Sequence, residues 1–172
     1  MIEALLYELD NNYEIPDSKI SYISKYLLSN AYWGNYELSL FGNSVGILPT
    51  DKLLILSKEI FSRGKGLIRS GHNPRDTIRT IQNISYILIR NGLITESKSL
   101  LDQLEDKLFR QDFFFEKTRQ LFFMGLIKLN LGEISIGKSQ CEKAIQIMNL
   151  IGTKSSAKLH QQELNNILKK YI

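Results

Sequence analysis

Three glycines each close a long amphipathic run, at Asn91-Gly92, Leu131-Gly132 and Ile151-Gly152. Glycine just past a helical stripe supplies the positive φ that ends a helix. The three prolines, Pro16, Pro49 and Pro74, each stand where such a run begins, the place a helix tolerates proline. No apolar–polar alternation bounded by turn signals appears. This punctuation predicts helices over about 16–28, 49–68, 74–91, 95–110, 114–131, 135–150 and 154–171. With one from Met1 and one in the aromatic segment after Tyr32, the count is about nine. The expected fold class is all-α: a right-handed superhelical stack of helical hairpins in a single domain, residues 1–172.

The first two stops lie forty residues apart. Aligning them superposes Ile81 on Leu121, Ser85 on Gly125, Ser97 on Gly137, Leu101 on Cys141 and Leu104 on Ala144. Small residues thus recur where two helices would cross. Gly125, Gly137 and Ala144 have the spacing of the small positions of a tetratricopeptide repeat, so the architecture resembles diverged tetratricopeptide hairpins. Such a solenoid lines a concave face with the first helix of each hairpin.

Hydrophobic residues make up 43% and charged residues 23% of the chain, ordinary values that exclude a disordered tail or a low-complexity chain. One cysteine, Cys141, permits no internal disulfide. No apolar run reaches the ~18 residues of a membrane span, and the acidic start MIEALLYELD does not read as a signal peptide. A cytoplasmic protein without a membrane partner is the expectation. The net charge of +4 is uneven. Residues 62–80 carry Arg63, Lys65, Arg69, Arg75 and Arg79 against Asp76 alone. That cluster suits phosphate or a peptide carboxylate, or is a solvated face. It lacks the dense stripe or reading motif of a nucleic-acid surface.

On the helix after Pro74, Ile78, Ile81, Ile84, Ser85 and Leu88 form one stripe, and Arg79, Asn83, Tyr86 and Arg90 the opposite one. A side-chain amide both donates to and accepts from a peptide backbone, so it grips an extended chain without reading its sequence. On the helix after Phe115 the matching stripe holds Arg119, Phe122 or Phe123, Leu126 and Asn130. Arg79 and Arg119 are equivalent in the two copies, and two guanidinium groups would clamp a carboxylate. Either alone is equally well a surface residue. The segment Tyr32 to Asn43 is densest in aromatics. It places Trp33, Tyr36, Leu40 and Asn43 or Ser44 on one helical face, with Trp33 as core or as the cap of a groove.

The runs WGNYELSLFGNSVGIL (Trp33 to Leu48), RTIQNISYILIRNG (Arg79 to Gly92) and GLIKLNLGEISIGKSQCEKAIQIMNLIG (Gly125 to Gly152) resemble the C-terminal region of the Rgg/GadR/MutR family of transcriptional regulators. The resemblance implies a regulator of low-GC Gram-positive bacteria whose repeat domain binds a short signalling peptide in its concave groove and forms a homodimer. It implies peptide-binding roles for Trp33, Tyr36, Asn43, Arg79, Asn83, Tyr86, Arg119, Phe123 and Asn130. It also implies DNA contact only through an N-terminal helix-turn-helix, for which this sequence leaves no room before its first helix. A domain cut from a longer regulator is the favoured explanation, a natural short paralogue the other.

No catalytic arrangement stands out. His72 and His160 have no His or Cys at ligand spacing, Gly64-Lys65-Gly66 is not a phosphate loop, and no nucleophile elbow occurs. No enzyme, cofactor or metal is expected. The alternative to a peptide sensor is a scaffold binding a folded partner through the same groove. A third reading is direct nucleic-acid binding through residues 63–79. The C-terminal helix, Lys154 to Tyr171, either joins a dimer interface or caps the stack.

Overall fold

The computed structural model describes residues 15–63, 74–108 and 112–171. These form helices α1 (Asp17–Ser29), α2 (Asn35–Ser44), α3 (Thr50–Arg63), α4 (Pro74–Arg90), α5 (Ile94–Leu108), α6 (Phe114–Asn130), α7 (Ile134–Leu150) and α8 (Lys154–Leu168), closed by a 3-10 turn, Lys169–Tyr171. Among the described residues there is no strand, so the all-α expectation holds. The helix expected from Met1, the stretch of 49–68 beyond Arg63, and Gly64 and Gly66 lie outside them. The last helix is shorter than expected: it tightens into the 3-10 turn at Lys169. No helix among the described residues is long and apolar enough to cross a membrane.

All three glycine stops have positive φ: 76° at Gly92, 86° at Gly132 and 82° at Gly152. Each builds the same cap. The glycine N–H donates to the carbonyl three residues back, and the next N–H to the carbonyl five residues back. Gly132 thus donates to Leu129 at 3.1 Å and Glu133 to Lys128 at 3.0 Å. This 6→1 and 5→2 pair satisfies carbonyls that the helix end would leave open. Leu93 to Leu88 and Thr153 to Met148 repeat it, both at 2.9 Å.

The chain divides into two compact units, Met1–Ile87 and Leu88–Ile172. In the first, α1 packs on α3, and Leu27, Phe41, Leu53, Leu56, Ile78, Ile81 and Ile84 are wholly buried. Burying each such side chain contributes roughly 1.5–3 kcal/mol. The C-terminal end of α1 has no glycine and is capped from elsewhere. Arg63, in the last turn of α3, donates its Nη1 to the carbonyls of Leu27 at 3.2 Å, Leu28 at 2.9 Å and Asn30 at 2.6 Å. Its Nε donates to Glu59 at 3.1 Å. Five donors on a rigid planar fork suit a set of converging carbonyls. Arg63 therefore leaves the basic cluster read from the sequence and acts as an internal cap.

In the second unit α6 and α7 pack along their length, with α5 and α8 on either flank. The crossing is built on glycine. A Cβ on Gly125 would meet Cys141 Sγ at 2.6 Å and the Gly137 carbonyl at 3.0 Å. Cys141 and Ala144 are fully buried beside it, and burial pushes the Cys141 thiol up to about 12. The tetratricopeptide-like small positions thus do what their spacing implies. In the first copy Ser85 and Ser97 stand in place of the second copy's Gly125 and Gly137, and both are fully buried.

Candidate functional site

The expected site residues fall into both units. On α4 the stripe Ile78, Ile81, Ile84, Ser85 and Leu88 is wholly buried. Arg79, Asn83 and Arg90 on its other side are exposed, and Tyr86 is half-buried. One turn of helix per 3.6 residues makes this division unavoidable once one face is covered. Arg79 and Asn83, one turn apart, present a guanidinium group and an amide together.

The aromatic segment is rearranged. Trp33 precedes α2 instead of starting it, and Gly34 is the N-cap residue. Gly34 N–H donates to Glu37 Oε2 at 2.9 Å, the backward half of a capping box. Glu37 Oε1 also accepts from the Tyr26 hydroxyl at 2.9 Å. Partial burial pushes the Glu37 carboxyl up, but hydrogen bonds from Gly34, its own N–H and Tyr26 outweigh this and hold it low. Tyr36 stands 66% exposed, edge-on to Tyr26 at 6.1 Å, and Asn43 is exposed on the same helix.

Trp33 does not share that surface, which corrects the expectation that it caps a groove. It is 3% exposed, its ring meets Phe41 at 5.3 Å, and Nε1 donates to the Leu27 carbonyl at 3.2 Å. The physical reason is the open end of α1. The carbonyls of Leu27, Leu28 and Asn30 there need donors, and the indole N–H and Arg63 supply them.

In the second unit, Arg119 and Phe123 come together as their spacing requires, with the guanidinium carbon 5.2 Å from the ring centroid. Such a contact contributes about 0.5–1 kcal/mol at exposed sites. Phe123 is only 3% exposed and Phe122 1%, a second correction: neither ring is an open platform. The cover comes from α8. His160 lies edge-on to Phe122 at 4.5 Å and 6.2 Å from Phe123. Asn130 is exposed, and its Nδ2 donates to the Leu126 carbonyl at 2.9 Å, which leaves its carbonyl oxygen to face outward partners.

His160 is the residue that sequence reasoning passed over. Its Nδ1 lies 2.7 Å from the Ser156 carbonyl. A carbonyl only accepts, so the neutral ring carries its proton there, and Nε2 is the acceptor. Burial pushes the imidazole pKa down, the Ser156 carbonyl opposes this, and Arg119 adds to the lowering. Nothing local marks His160, because its neighbours are on α6. Among the described residues no group of three His, Cys, Asp or Glu is placed to hold a metal ion.

Helical hairpins turned by left-handed glycines and crossing on small residues define an all-α helical-repeat domain. The chain belongs to a family of such domains: the model for the C-terminal domain of the HTH-type transcriptional regulator Rgg matches residues 1–162. Those regulators are not an enzyme family.

Solved structures agree on the fold. The SHP pheromone receptor Rgg2 of Streptococcus dysgalactiae is similar with a TM-score of 0.79 at 24% identity, over 96% of this chain and 64% of that one. RopB matches with a TM-score of 0.75 at 23% identity, over 92% of this chain and 71% of that one. RopB complexed with SIP matches less closely, with a TM-score of 0.51 at 23% identity over 98% and 74%. The chain spans 60 to 64% of the Rgg2 receptor it resembles.

Proposed function

We propose that this domain senses a short signalling peptide and, as a homodimer in the cytoplasm, passes its occupancy to a DNA-binding helix-turn-helix of the whole regulator. The observation that carries the reading is the α4 stripe: Arg79 and Asn83 are exposed on a helix whose other face is wholly buried. A rigid scaffold holding an amide and a guanidinium group outward suits an extended backbone with a carboxylate. On the first unit Asn83 would grip the peptide backbone and Arg79 its carboxylate, and on the second Asn130 and Arg119 offer the same pair of groups. Tyr36 and Tyr86 would flank its apolar side chains, with Asn43 beside them. Kinship with a family that includes a pheromone receptor supports the same reading. A bound peptide shifts DNA-binding geometry only through different affinity for two states of the dimer.

Calorimetry with short peptides secreted by the source cell tests this. We expect saturable binding that Asn83→Ala combined with Arg79→Ala weakens at least tenfold. Binding unaffected by that pair, or only of a folded protein with which short peptides do not compete, overturns the reading.

A further inference from the structure

The face of α6 turned away from Arg119 and Phe123 bounds a cleft of about 580 Å3 between α5, α6 and α7. Lys117, Gln120, Leu121, Met124 and Lys128 line it from α6, Glu105 from α5 and Gln140 from α7. At 100° per residue these α6 positions lie roughly 100° to 200° round the helix from Arg119, so this is a different surface from the proposed sensing face. Its size is in the usual range for ligand clefts.

The chemistry of the lining is specific. Gln120 is 5% exposed, and its Nε2 donates to the Leu101 carbonyl at 2.7 Å. That bond fixes which end of the amide is which. Oε1 is then left without a donor among the described residues, a buried acceptor that gains from an incoming N–H. Gln140 Nε2 donates to the Leu121 carbonyl at 3.2 Å. Leu121 and Met124 form an apolar floor. Lys117 and Lys128 stand at its two ends, about 16 Å apart along the helix at 1.5 Å per residue. Neither is ion-paired among the described residues. A neighbouring cleft of about 550 Å3 shares Leu121 and Gln140 and adds Lys143 and Ile136 from α7. Ile136 is 55% exposed.

We propose that this face docks an acidic, extended peptide segment of a partner protein. Three lysines against Glu105 give the surface a positive balance. The spacing of Lys117 and Lys128 matches about five extended residues at ~3.3 Å each. Acidic side chains at the segment's ends meet the two lysines, its apolar middle covers Leu121 and Met124, and one backbone N–H answers Gln120 Oε1. The site is separate from the sensing face and stands or falls independently of it.

The test titrates the folded chain with the acetylated, amidated hexapeptide Glu-Ser-Leu-Leu-Ser-Glu, followed by amide NMR. A Lys-Ser-Leu-Leu-Ser-Lys peptide is the control. We expect the acidic peptide alone to move the side-chain amide signals of Gln120 and Gln140. Lys117→Glu with Lys128→Glu should weaken binding at least tenfold, and Lys169→Glu with Lys170→Glu, an equal charge change at the C-terminal turn, should not. Equal binding of both peptides overturns the proposal. So do shifts confined to the Arg119 face, and an equal effect of the two charge reversals. If the first variant fails to fold, the wild-type shifts alone decide: no movement at Gln120 and Gln140 with millimolar acidic peptide overturns it.

Discussion

A Cβ placed on Gly137 would sit 2.7 Å from the carbonyl oxygen of Gly125. That separation is the contact on which α6 and α7 cross, and it makes the two glycines obligatory for steric reasons. The Gly137 site is closed by backbone on both sides, since the Leu129 nitrogen is also 2.7 Å away. Alanine would gain up to about 1 kcal/mol of helix propensity, but overpacking a closed crossing costs about 1–3 kcal/mol or more. We expect Gly137→Ala to lower stability by a net 1–2 kcal/mol or more, read as an earlier midpoint in urea. Gly42→Ala is the contrast. Its nearest neighbour is the Thr80 side chain at 3.0 Å, which can give slightly, so its net change should stay within about 1 kcal/mol.

Gly92 is a different case. Nothing lies within 4 Å of its Cβ position, and only its φ of +76° resists substitution. Gly92→Ala should therefore cost about 1–2 kcal/mol from the left-handed backbone alone. Gly92→Asn should cost less, because asparagine tolerates that region. Thermal unfolding of the two variants side by side checks the order.

Arg63→Met should cost about 2–3 kcal/mol, because it leaves the carbonyls of Leu27, Leu28 and Asn30 without a charged donor. Arg63→Lys should recover only part of the loss, since a single ammonium cannot both meet these carbonyls, as Nη1 does, and hold Glu59, as Nε does. Denaturant melts of the three proteins rank them.

Trp33 is the only tryptophan and is 3% exposed. Native emission should be blue-shifted and poorly quenched by iodide, with a red shift on unfolding of the first unit. Trp33→Ala should cost about 3–5 kcal/mol. Strong iodide quenching in the native state would contradict its placement.

His160 makes stability depend on pH. Burial, reinforced by Arg119, lowers its folded-state pKa below the ordinary 6.5. The unfolded chain then takes up the proton first as pH falls. The contribution of His160 is complete above about 6.5 and is lost as pH drops through the lowered value. We expect stability to decline below neutral pH, His160→Gln to flatten that decline, and Arg119→Gln to move the imidazole titration upward. Proton NMR of the ring and urea melts across pH 5–8 are the measurements.

Helix positions were legible because their signals are local. The glycine stops, Pro74 at the first turn of α4 and the buried stripe from Ile78 to Leu88 all follow from 3.6-residue periodicity and backbone conformation. The close crossing of α6 on α7 was legible from the repeat, since small residues recur where helices must touch. Arg79 and Asn83 could be placed on the open side of α4 by the same logic.

Tertiary structure decided the rest. The sequence offers the donors Trp33, Arg63 and Gln120 but does not say which carbonyl each will meet. Arg63 reaches acceptors 33 to 36 positions earlier, and His160 meets Phe122 across two helices. Such pairings depend on which helix ends and faces are brought together. Periodicity constrains one helix at a time, so it tells the buried face of α6 from the open one but not that α8 will cover Phe123.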